Sequence, residues 1–165
     1  MFRTIQDFQA GWAYEREATL KILRALTDQV LPQAVAPGGR TLGRLGWHIV
    51  QTLREMGGHA GLEVDGPDEK APQPNATGMR EAYERASKSL ADAVTRQWTD
   101  GMLLETIPMY GEQWPRGQAL SSLVAHQIHH RAQMTVLMRQ AGLKVPGVYG
   151  PAREEWAAFN VPPQE

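Results

Sequence analysis

The chain has 165 residues, 42% of them hydrophobic and 21% charged, with a formal net charge of −1; this describes an ordinary folded domain with enough chain for a proper core. Its 17 lysines and arginines form no basic block, which argues against nucleic acid as a partner, and no apolar run approaches the ~18 residues of a membrane span. Cysteine is absent. That excludes disulfides, thiolate metal ligands and a cysteine nucleophile, and with no signal-peptide core after Met1 it fits a cytoplasmic location.

Residues 2 to about 30 space Phe2, Ile5, Phe8, Trp12, Leu20, Leu23, Leu26 and Val30 by threes and fours between charged residues. This predicts an amphipathic first helix ending near Leu31, because the residue before Pro32 avoids helical geometry. Thr41 is a good N-cap for a second helix, TLGRLGWHIVQTLREMG, running to Gly57 and Gly58. Its inward face carries Leu45, His48, Ile49, Thr52 and Met56. Gly43 and Gly46 weaken that helix by roughly 1 kcal/mol each relative to alanine if exposed, which points to close approach of a neighbouring helix. His59 falls past its end, toward solvent.

Residues 60–76 hold three prolines and read as a loop. A third helix is expected from Thr77 to Trp98, with Met79, Ala82, Tyr83, Ala86, Leu90 and Val94 inward. Residues 99–116 break the period. LLETI could form a short strand, but the sequence offers it no evident partner. Tyr110 and Trp114 lie near the start of the next helix, where loop packing is the simpler role and a pocket wall the alternative.

Gly117 to Gly142 is proline-free and closes on a glycine, as one long helix should. At about 100° per residue, Ala119, Leu123, His126, His130, Met134 and Leu137 share one face, and His129 points away. Two imidazoles at i and i+4 can hold one ion; the bland reading is a pair of core histidines bonded to carbonyls or a glutamine. A short last helix is expected from Pro151 through Phe159, with Trp156 and Phe159 packing on the rest.

Four long amphipathic helices predict an all-α four-helix bundle, one domain over residues 1–165, with a divalent-metal site in the core between helices two and four. His48 could join His126 and His130 there. Three neutral imidazoles leave an ion coordinatively open, the pattern of catalytic rather than structural sites, and all-nitrogen ligation suits Zn, Ni, Co, Fe or Cu. No residue stands out as general acid or base: Glu105 and Glu112 fall on loops, while Tyr110, Tyr149 and Arg131 are candidate pocket residues with simpler structural roles.

The run HQIHHRAQMTVLMRQAGLKVPGVYGP resembles the C-terminal signature of the DinB-like (DinB/YfiT) metalloprotein superfamily, H-x-x-H-H-R-G-Q followed by a segment like LRQAG..VPG.YGP. LGRLGWHI resembles that family's second-helix motif. The likeness spans nearly the whole chain and departs at Ala132, where the family favours glycine. It implies a divalent ion, zinc or nickel first, held by His48, His126 and His130, and a homodimer. It also implies a low-molecular-weight thiol co-substrate, since characterised relatives include bacillithiol S-transferases and mycothiol isomerases. The expected function is a metal-dependent thiol S-transferase acting on an electrophile in detoxification or stress. A metal-dependent hydrolase, with water as the nucleophile, and a non-catalytic metal-binding module are the competing readings.

Overall fold

The structure is a computed structural model and describes residues 1–163. Four long helices dominate: α1 (Ile5–Arg24), α2 (Leu42–His59), α3 (Ala76–Gln97) and α4 (Arg116–Gln140). α1 and α2 each pack on both α3 and α4, which closes a ring of four around one apolar core. Residues at helical spacing supply that core. Phe8, Trp12, Ile49, Leu53, Met79, Tyr83, Leu90 and Met134 are all almost fully buried. Side-chain caps start the helices: Thr4 accepts from the Asp7 amide, Thr41 from that of Arg44, and Asn75 from that of Gly78.

α1 is shorter than its periodicity predicts. It stops at Arg24 rather than near Leu31, and Asp28–Val30 form a separate 3-10 turn. Thr27 is extended, and the Asp28 carboxylate is used elsewhere: its Oδ1 accepts from the Ala76 amide at 2.7 Å, at the start of α3. An acceptor for one of α3's unpaired amides outweighs continuation of a helix through Thr-Asp. Phe2 also lies before the helix, edge-on to Phe8 with ring centroids 5.4 Å apart.

The wholly α-helical expectation is corrected by a hairpin. β1 (Thr106–Met109) pairs antiparallel with β2 (Glu112–Pro115), Ile107 opposite Trp114 and Met109 opposite Glu112. Only Thr106 and Ile107 of LLETI belong to the strand, since Gly101–Leu104 forms a 3-10 turn, and the partner missing from the sequence reading is EQWP, two residues beyond Met109. Ile107 and Met109 are buried while Thr106 and Pro108 are exposed, a period of two. The two-residue turn needs positive φ at both positions, and Tyr110 (52°) and Gly111 (86°) supply it. Asn or Asp is usual at the first of these positions, so tyrosine hid the turn.

The last segment is also different. Arg153–Phe159 is a 3-10 helix in which Trp156 is half-buried but Phe159 is 61% exposed, so Phe159 does not pack on the bundle. Polar contacts also hold this segment. Arg139 pairs with Glu154, and the Glu155 carboxylate accepts from the Gly147 and Ala152 amides.

Gly46 does serve a close approach. A Cβ there would lie 2.6 Å from Met79 Sδ and 3.3 Å from Met134 Cε, on α3 and α4. Gly43 instead faces Gln73 and Leu31, neither of them in a long helix. Among the described residues, no helix is long and apolar enough to cross a membrane.

Candidate metal centre

The contact between α2 and α4 brings His48, His126 and His130 together. Their nearest ring nitrogens all lie within 4.8 Å of one another, and no other group of three metal-ligating side chains occurs among the described residues. His126 Nε2 is 3.2 Å from His48 Nε2 and 3.1 Å from His130 Nε2. Buried Gln127, which the sequence reading passed over, sets the register: its Nε2 donates to the Ile49 carbonyl at 2.9 Å, beside His48.

The three imidazoles stay neutral. Burial first, then the charges of the other two histidines and of Arg40 and Arg44, pushes His48 down to about 4. Burial, then the neighbouring histidines and Arg40, brings His126 to about 4 as well. His130 is lowered mainly by burial, against an opposing hydrogen bond to Gln133. That bond runs from His130 Nδ1 to Gln133 Oε1 at 2.8 Å, so His130 Nε2 presents a lone pair to the cluster.

This creates a conflict that protons alone do not resolve. His126 Nε2 has one in-plane position, for either a proton or a lone pair, yet two ring nitrogens approach it at hydrogen-bond distance. Whichever tautomer is chosen, one approach lacks a proton of its own. A cation shared by three lone pairs satisfies all of them. Separations of 3.1 and 3.2 Å suit ligands on one ion with bonds of about 2.0–2.1 Å. The residues present fit a divalent transition metal.

The site is less sealed than the sequence suggested. His48 and His126 are only half-buried and line a cavity of about 650 Å³ between α2, α4 and the hairpin. Arg44, Thr52, Glu55 and Met56 extend the α2 wall, Ser122 the α4 wall, and Tyr110 and Trp114 the hairpin wall. Glu69 enters from the 60–75 loop. Of these, only Tyr110 and Trp114 had been considered as pocket residues from sequence. Both belong to the cavity wall, not merely to loop packing.

Tyr149 and Arg131 do not line the cavity. Buried Arg131 turns to α1, donating to Glu15 Oε2 at 2.6 Å, to Thr19 Oγ1 at 3.0 Å and to the Tyr149 hydroxyl. Tyr149 in turn donates to the Glu15 carboxylate at 2.8 Å. These contacts clamp the C-terminal segment to the bundle. Glu105 pairs with Arg116, and Glu112 accepts from the Trp114 indole, so neither faces the cavity. His59 sits half-exposed, 3.3 Å from Glu55 Oε1. His129 Nε2 lies beside Gln133 Nε2 at 3.1 Å, outside the triad. Ala132 is exposed, so its departure from glycine leaves the triad untouched.

Known proteins share this arrangement of helices. The chain is 45% identical over 162 residues to the uncharacterised protein YrdA of Bacillus subtilis (strain 168), covering 98% of this chain and 97% of that one. A crystal structure of a DinB-like protein from Bacillus cereus ATCC 10987 superposes with a TM-score of 0.87 at 43% identity, over 90% of this chain and all of the other. The DinB-like protein YjoA of Bacillus subtilis, at 14% identity and TM-score 0.66 over 86% of this chain and 97% of its own, shares the fold. The DinB family model matches residues 1–165, and the chain belongs to the DinB family.

Proposed function

We propose that His48, His126 and His130 hold one divalent transition-metal ion, zinc or nickel first, and that the protein is a metal-dependent thiol S-transferase. The observation that carries this reading is His126 Nε2, approached by two neutral ring nitrogens with only one position for a proton. The cavity opening onto two of the three imidazoles makes room for a ligand beside them. An ion with three neutral ligands keeps coordination positions open and lowers the pKa of a thiol, ordinarily about 8.5, toward neutrality.

The chain's own residues do the rest. Met56, Tyr110 and Trp114 give the cavity an apolar wall against which an organic substrate can pack. In the reaction the thiol loses its proton to solvent, its sulfur forms a bond to the electrophilic carbon, and the leaving group departs with the bonding pair. The thiol is a cysteine-bearing low-molecular-weight one, bacillithiol foremost, and the setting is cytoplasmic detoxification by a homodimer.

Cobalt substitution tests this. Thiol bound as thiolate adds near-ultraviolet charge-transfer absorbance that nitrogen and oxygen ligands do not, so the cobalt form is titrated with bacillithiol, mycothiol, glutathione and cysteine, with a serine analogue as control. No new absorbance and no thiol-dependent turnover sinks the transferase reading and leaves the hydrolase or the metal-binding module. His48→Ala should empty the site while His59→Ala leaves it filled; equal metal content by elemental analysis overturns the ligand set.

A further inference from the structure

The cavity is electrically lopsided. Its one arginine, Arg44, stands on α2 one turn before His48 and gives its Nη1 to Gln51 Oε1 at 2.9 Å. Seven residues beyond His48, on the same face of α2 and roughly 10 Å along its axis, stands Glu55. Glu69 faces the same end from the 60–75 loop, whose backbone Gln51 Nε2 anchors through the Glu69 carbonyl at 3.0 Å. Among the described residues, neither carboxylate is paired with a lysine or arginine; the basic neighbour of Glu55 is the exposed imidazole of His59, 3.3 Å from Oε1 in α2's last turn.

Glu55 is held rather than free. Its side chain is only 18% exposed, and the Tyr110 hydroxyl donates to both of its oxygens, at 2.8 and 3.0 Å. That contact joins residues 55 positions apart and brings the hairpin turn, with its left-handed Tyr110, against α2. Trp114 meets Tyr110 edge to face with centroids 5.9 Å apart, so two aromatic rings and two carboxylates enclose the same end of the cavity. Aromatic faces attract cations, and carboxylates facing no lysine or arginine, here half-buried Glu55 and exposed Glu69, do so more strongly. Together they form the usual environment of a bound ammonium group.

We propose that this end of the cavity, with Glu55 as the specificity-determining residue, binds a cationic nitrogen of the substrate, so that the protein acts on amine-bearing compounds. This rests on the cavity being the substrate site. The reacting atom then lies at the histidine end, with the ammonium about two helical turns away. A sulfur and ammonium as close together as in free cysteine cannot span that distance, so the charged nitrogen belongs to the larger electrophilic substrate. Anionic substrates are repelled from the same end by Glu55 and Glu69.

The test is a comparison of three aromatic probes of equal size: phenethylamine, 2-phenylethanol and phenylacetate. Each is titrated by protein NMR into metal-free and zinc-loaded protein, following the Trp114 indole and Met56 methyl signals. Phenethylamine should bind roughly tenfold tighter than the neutral alcohol, with phenylacetate the weakest. Glu55→Gln should remove the preference for amine over alcohol and leave alcohol binding in place, while Tyr110→Phe, which keeps the ring and the carboxylate, should retain the preference. Equal affinity for amine and alcohol in the unaltered protein overturns the proposal without reference to any variant. An undiminished preference in Glu55→Gln also overturns Glu55's role. Cobalt–thiolate absorbance is a separate readout, so amine preference without it would refute only the transferase chemistry.

Discussion

Gln133 Oε1 accepts from His130 Nδ1 at 2.8 Å, one turn of α4 apart. The bond places the proton of His130 on the nitrogen facing away from the cluster and so leaves Nε2 free to ligate. The amide's other end, Nε2, lies 3.1 Å from His129. Partners of this kind are worth about 10–100-fold in metal affinity. Gln133→Leu should weaken metal binding by that range in a chelator competition, whereas Gln133→Glu, which keeps an acceptor, should not. Unchanged affinity in the leucine variant would show that the tautomer is set elsewhere.

His48 and His126 titrate near 4 in the folded chain, against 6.5 when free. Because the unfolded state binds more protons between those values, stability of the metal-free protein is full above about 6.5 and is lost as pH falls toward 4. A bound metal steepens the fall, since protonation also removes the ligands. Denaturant midpoints at pH 7, 5.5 and 4.5 should decline in that order, and less so in a His48→Gln/His126→Gln double variant. Parallel curves for the two proteins would contradict the depressed values.

Gly46 lets α2 settle onto α3 and α4 beside the histidine cluster. In Gly46→Val the new side chain meets Met79 and Met134, both fully buried, and should cost about 1–3 kcal/mol of unfolding free energy by overpacking. The same change pushes α2 from α4, so metal affinity should drop with it. A stabilised variant would mean that the two methionines repack without strain.

Arg131 is 2% exposed and bound to Glu15, itself nearly buried. Arg131→Met leaves that carboxylate unpaired and should cost about 3–5 kcal/mol, while a double replacement of both charges by apolar residues should cost much less. Equal losses in the single and double variants, measured by chemical denaturation, would refute the pairing argument. Release of the Tyr149 hydroxyl should also make residues 143–150 more open to proteolysis in the single variant.

How far the sequence speaks is clear from particular residues. His126 and His130 share a face because a helix repeats every 3.6 residues, a local property that any reader of the chain can count. The same holds for the inward stripes of α2 and α3, and for Thr41 as a cap. Tertiary structure alone decided the contacts between distant residues. Asp28 ends α1 early because α3, almost fifty residues on, offers it an amide. Tyr110 reaches Glu55 because β1 found its partner in β2 through a turn with no Asn or Asp to announce it. Gln127 and Ile49, 78 positions apart, align the two histidine-bearing helices. Local propensity fixes period and caps, but the free energy of a long-range contact depends on which surfaces the whole chain brings together, and no window of residues contains that information.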